Sequence, residues 1–163
     1  MAYVENQYVI LDFETTGLDA ASSEIIEIGA IRVRGLVEQE RFHALVRPKG
    51  QIPDAVVLLT GITQDMVSAE RPLEDLITQF AAFLGDDPIV AHNSSLEQDF
   101  LDTHVSPKLP DGRIYEVQNS IEPLAMLLPD KASHSMESMR KWASVDSEGR
   151  SHRATCHGTH TPS

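Results

Sequence analysis

Apolar positions along this chain follow two periods, and the changes between them mark out the elements. Tyr8-Val-Ile-Leu11 is apolar at successive positions, which predicts a central strand covered on both faces. The run ends in Asp12-Phe-Glu14 and then in a polar, glycine-containing turn, Thr15-Thr-Gly17-Leu18. Residues 24–34 are β-branched and half alternating up to Gly35, and residues 40–46 alternate again before Arg47-Pro48-Lys49-Gly50. Three strands with short connections predict an antiparallel meander that opens a mixed sheet. Residues 52–68 read as short helical stretches around Leu58-Leu59-Thr60-Gly61-Ile62-Thr63.

The period then changes to that of a helix. Leu73, Leu76, Ile77, Phe80, Phe83 and Leu84 form one stripe, with Pro72 at the start and Gly85 as the stop. This predicts a core helix covering the sheet. Residues 87–91 predict a short parallel strand, leading through His92-Asn93 into a helix that ends in Phe100-Leu101. A turn at Leu109–Arg113 precedes a fifth strand at residues 114–118. Two more helical patterns follow, at residues 121–128 and 135–143. No repeat or low-complexity segment is present.

Length and composition narrow the class. A chain of 163 residues, 41% hydrophobic, suits one domain with a real core. One cysteine, Cys156, cannot form an intramolecular disulfide and fits a reducing compartment. No apolar run reaches membrane-spanning length, and the first residues lack the order of a signal peptide. A cytoplasmic protein without a membrane partner is expected. Twenty-five acidic residues against thirteen Lys and Arg leave a formal charge of −12. That balance opposes binding along a duplex by phosphate neutralisation, but not the gripping of a single strand end.

The candidate chemistry lies at Asp12 and Glu14. Alternation along a strand puts both carboxylates on one side. Paired there with little hydration they repel, and a cation between them relieves the cost. Oxygen ligands of this kind suit Mg²⁺ or Mn²⁺. The pattern alone equally fits a strand ending in water with two solubilising acids.

Asp12-Phe13-Glu14-Thr15-Thr16-Gly17-Leu18 resembles the first motif of the DnaQ-like, or DEDDh, 3′–5′ exonucleases. This family includes the DNA polymerase III epsilon subunit and helicase-linked exonuclease domains. Leu58-Leu59-Thr60-Gly61-Ile62-Thr63 resembles a family element that approaches the terminal nucleotide, although a small helix, a turn and a Thr cap explain it equally. His92-Asn93-Ser94-Ser95-Leu96-Glu97 resembles the second motif, with Leu-Glu standing where Phe-Asp is usual. Asp99 lies some 200° round the helix from Glu97, so the metal role falls to Glu97. Ser94-x-x-Glu97 also reads as a capping box, in which the glutamate only satisfies the helix start.

Ser151-His152-Arg153-Ala154 resembles the start of the third motif, where the histidine is the general base. The aspartate expected next is His157, and a polar tail replaces the family's final helix. Divergence and a break of the reading frame near Thr155 both account for this, and the abrupt loss of resemblance favours the break. Cys156, His157 and His160 make a loose set for zinc, more characteristic of a terminal tail than of a site.

The resemblance implies a ribonuclease H-like α/β fold, a five-stranded mixed sheet flanked by helices with the C-terminal helix missing. Residues 1–154 are the exonuclease domain and 155–163 a tail outside the fold. It implies metal-dependent release of nucleotides from 3′ ends of DNA, with Asp12, Glu14 and Glu97 holding two divalent cations, Mg²⁺ or Mn²⁺. His152 is then the base, and Phe13, Thr15, Thr16, Gly17, Leu18, Leu59, His92 and Asn93 contact substrate. The expected partners are a single-stranded 3′ end and a polymerase or fused helicase domain, with this chain as the N-terminal part of a longer protein. Loss of the fourth carboxylate predicts impaired activity. The rivals are an RNA 3′ exonuclease of the same fold and a non-catalytic end-binding module.

Overall fold

The computed structural model describes residues 7–35 and 37–119. The expectations for the two later helices, His152, His157 and the tail lie outside those residues. The sheet is built outward from β1 (Gln7–Thr15), flanked by β2 (Ile25–Arg34), which leads on to β3 (Val37–Leu45). On its other side lie β4 (Ile89–Ala91) and β5 (Val117–Asn119), giving the order β3-β2-β1-β4-β5. The first three strands pair antiparallel, whereas β4 runs parallel to β1 and β5 parallel to β4. This is the five-stranded mixed sheet of a ribonuclease H-like fold, and the meander expected from alternation is in place.

One face of β1 makes the core. Val9, Leu11 and Phe13 are buried against α3 (Leu73–Leu84), numbered after α1 (Asp54–Thr60) and α2 (Gln64–Val67). All six stripe residues of α3 are buried, and Phe80 meets Phe13 and Phe42 with ring centroids at 6.0 and 5.4 Å. Pro72 caps α3 from just outside rather than forming its first residue, and Gly85 ends it at φ 56°. Phe100, Leu101 and Val105 join the same cluster. The opposite face of β1 is less buried than its apolar run suggests, and Ile10 there is 38% exposed.

A smaller cluster of Ile26, Ile52, Ile62 and Val67 holds α1 and α2 near the start of β2. Helix α4 (Ser94–Phe100) follows β4 and widens into a π-helical turn at Leu101–Val105. The fifth strand starts at Val117, three residues later than its sequence suggests. The cause is Gln98. Its side-chain amide donates to the Tyr115 carbonyl at 2.8 Å, and its oxygen accepts from the Val117 N–H at 2.8 Å. A side chain of α4 thus holds the Tyr115 carbonyl just ahead of the strand, and pairing with β4 begins at Val117. No helix among the described residues is long and apolar enough to cross a membrane.

Candidate active site

The site forms where the C-terminal end of β1 meets the first turn of α4. The same strand that buries Val9, Leu11 and Phe13 turns Asp12 and Glu14 to the opposite face. Glu97 approaches Asp12 from α4 and is only 3% exposed, whereas Asp99 faces solvent. The helix begins at Ser94 after Asn93, and Asn93 makes no side-chain cap bond. The capping-box geometry, with Ser94 as the cap, is thus absent, and Glu97 is left to the site.

Electrostatics tie the carboxylates together. Burial, and then the charge of Asp12, push Glu97 up to about 7, while its own N–H and that of Phe13 favour the ionised form. Asp12 is likewise raised to about 7, by desolvation and then by Glu27. Asp12 keeps a solvent-exposed surface, and that access tempers its rise. Oxygen Oε2 of Glu97 is buried without a hydrogen-bond partner, and so is Nδ1 of His92, whose pKa burial lowers.

An unpartnered carboxylate oxygen beside a second carboxylate is what a divalent cation would satisfy, so this donor set fits Mg²⁺ or Mn²⁺. Among the described residues, no three His, Cys, Asp or Glu side chains are drawn together tightly enough to hold an ion. Like charges with no cation between them separate.

The turn after β1 is held by its own side chains. Thr15 donates its hydroxyl to the Gly17 carbonyl at 2.6 Å, and Thr16 accepts from the Glu24 N–H at 2.9 Å. Both threonines first build the loop. Thr16 still has its hydroxyl proton to donate outward. A Cβ on Gly17 would lie 2.5 Å from Ser23 Oγ, so any other residue there makes Ser23 shift. His104 donates to the Ala20 carbonyl at 2.7 Å and pins the end of this turn to the segment after α4.

Leu18 projects from the turn, 85% exposed, and Leu59 from α1 is 53% exposed. Thr63 caps α2 and Thr60 closes α1, so the Leu-Thr-Gly-Ile-Thr stretch has the structural roles its sequence allowed. Asn93 is exposed and His92 half-buried at the head of α4.

Sequence reasoning passed over Glu27. It is fully buried, stands opposite Glu14 in the β1–β2 register, and accepts from His43 Nε2 at 2.7 Å. The available signal was an acid in the middle of the β-branched run Ile25–Ile31.

Comparison with known proteins decides the family. The profile described as an exonuclease of the RNase_T type matches residues 9–155. The chain belongs to that exonuclease family. It is similar to PolC-type DNA polymerase III of Thermotoga maritima, 44% identical over 94 residues, which span 58% of this chain and 7% of the polymerase. The PolC-type polymerase of Bacillus subtilis strain 168 is 33% identical over 144 residues, covering 84% of this chain and 10% of that protein. The chain therefore spans a tenth or less of the length of these relatives.

Among solved structures, exonuclease X in complex with 5′ overhanging duplex DNA is 26% identical, with a TM-score of 0.64 over 86% of this chain and 75% of that one. The nuclease domain of 3′hExo, a DEDDh family member bound to rAMP, shares the fold at a TM-score of 0.70 with 21% identity, over 91% and 84% of the two chains. The DnaQ-like resemblance is borne out, and so is the ribonuclease H-like fold. DEDDh exonucleases as a family use divalent metal ions. The matched relatives are PolC-type DNA polymerases, to one part of which this chain is similar.

Proposed function

We propose that this chain is a metal-dependent 3′–5′ exonuclease domain acting on DNA ends as part of a longer replicative polymerase. One observation carries the reading. Glu97 Oε2 is buried and unpartnered beside a second carboxylate, Asp12, whose charge it feels. Burying an acid in that way is costly unless a cation completes it. Identity of 30% or more to PolC-type polymerases favours DNA over RNA as the substrate.

Asp12, Glu14 and Glu97 are the residues to hold two divalent cations. Such ions supply positive charge to the phosphodiester and lower the pKa of water near it. The chain's own residues do the rest. The loop from Thr15 to Leu18 grips the terminal nucleotide, with the Thr16 hydroxyl directed at sugar or phosphate. Leu18 and Leu59 supply apolar surface for the base, and His92 and Asn93 flank the strand end. His152 takes the proton of the attacking water, since an imidazole titrates near neutral pH. Residues 1–154 form the domain and 155–163 the tail. His157, standing where the family has its fourth carboxylate, leaves the activity weak.

The test is 3′-end digestion of 5′-labelled single-stranded DNA and RNA with Mn²⁺, Mg²⁺ or chelator, alongside Asp12→Ala and His157→Asp. Metal-dependent shortening of DNA from the 3′ end, lost in Asp12→Ala and raised in His157→Asp, supports the reading. Preference for RNA favours the rival substrate. A folded chain that is silent in both wild type and His157→Asp favours an end-binding module.

A further inference from the structure

A buried carboxylate outside the three assigned ones touches this site. Glu27 is 0% exposed, and the half-exposed His43 donates its Nε2 N–H to Glu27 Oε1 at 2.7 Å. The register explains the arrangement. Asp12 stands opposite Gly29, which stands opposite His43, so a row across three strands has a glycine at its centre. Gly29 puts no side chain between Asp12 and His43. Glu27 comes from the neighbouring row, opposite Glu14, and reaches His43 along the same face. Glu27 is directly opposed to Glu14 and is the diagonal neighbour of Asp12, at a Cβ separation of roughly 7 Å. A buried negative charge at that range strengthens the field at Asp12, and low exposure keeps water from screening it.

We propose that Glu27, fixed by His43, is a positioning residue for the carboxylate site, adding negative charge beside Asp12 and Glu14 that strengthens cation binding. The inference rests on the metal-dependent reading above. Glu27 is fully buried and already bonded to His43, so it acts through the neighbouring carboxylates rather than as a ligand. His43 sets its direction, as an outer-shell hydrogen bond does for a ligating group.

The experiment titrates Mn²⁺ into the full chain and reads bound ion by electron paramagnetic resonance, with the metal-free melting temperature measured in parallel. Glu27→Gln keeps the shape and removes the charge. It should weaken Mn²⁺ binding about ten- to hundredfold, the usual effect of an outer-shell change, with no fall in the metal-free melting temperature. A folded Glu27→Gln that binds Mn²⁺ as the wild type does overturns the proposal.

If Glu27→Gln does not fold, the half-exposed His43 decides. His43→Gln can still donate and should bind Mn²⁺ nearly as the wild type does, whereas His43→Leu should bind more weakly. Equal binding by all three overturns the proposal. A wild type without a saturable Mn²⁺ site overturns the metal reading itself, which is a separate failure.

Discussion

Asp12 and Glu97 come from a strand and a helix far apart in the chain, and the charge of one helps hold the other's carboxyl near neutral pH. Both carboxyls are raised to about 7. An acid whose pKa is higher in the folded than in the unfolded state binds more protons when folded, so stability falls as pH rises between the two values. Metal-free protein should therefore lose stability from about pH 4 to about pH 7. The direction is dominated by Glu97, because solvent reaches Asp12. Melting in chelator at pH 5 and pH 8 checks this, and the higher melting temperature is expected at pH 5. Mn²⁺ should reverse the order by stabilising the protein at pH 8 and doing little at pH 5, where protons compete for the same oxygens. A melting temperature that rises with pH in chelator would exclude the coupled pair.

Removing one of the pair separates its two effects. Asp12→Asn takes away the charge that raises Glu97, so the metal-free variant should be more stable than wild type at pH 8. The same change removes a ligand and should abolish the Mn²⁺-dependent rise in melting temperature. Activity should fall about a hundredfold or more, since a metal contributes several kcal/mol to charge stabilisation. Melting curves and end digestion on one preparation test both halves. Loss of activity with no gain in metal-free stability would mean Glu97 does not feel Asp12.

Much of this arrangement was legible in the sequence, for reasons that differ between elements. The α3 stripe was readable because a 3.6-residue period states its own buried face, and all six residues are buried. Glu97 over Asp99 followed from the motif resemblance together with helical geometry, and the two differ in exposure as that geometry requires. Glu27 was not readable, because a single acid in a β-branched run says nothing of its neighbours until the register sets it opposite Glu14. The late start of β5 was hidden for a similar reason. It depends on Gln98, a side chain on another element, which no local pattern of residues 114–118 records.

Gly17 lies in close approach to Ser23 and has no positive φ. Gly17→Ala would bring Cβ to within 2.5 Å of Ser23 Oγ, so the Ser23 hydroxyl must turn aside. Overpacking of this kind, relieved by one side-chain rotation, costs about 1 kcal/mol. Activity should fall further than stability, because the same turn carries Thr16 and Leu18. Adding Ser23→Gly removes the clashing atom, and the double variant should recover most of the lost melting temperature. If Ser23→Gly gives no recovery, the cost of Gly17→Ala lies elsewhere.

Leu18, in the turn that follows β1, and Leu59, on α1, are large apolar side chains left in water, at 85% and 53% exposure. Neither contributes to the core clusters, so folding gives no reason for an apolar residue at these positions. Leu18→Ser and Leu59→Ser should change stability by no more than about 0.5 kcal/mol, as exposed substitutions do. If the two leucines hold the terminal base, each variant should raise KM for a single-stranded oligonucleotide. A base stacked on apolar surface is worth about 1–3 kcal/mol, so the rise should be roughly five- to hundredfold. Cleavage at saturating substrate should change less, because the carboxylates are untouched. Steady-state digestion of one labelled oligonucleotide across a concentration series separates the two constants. An unchanged KM in both variants would remove the leucines from the substrate path and leave them as surface residues.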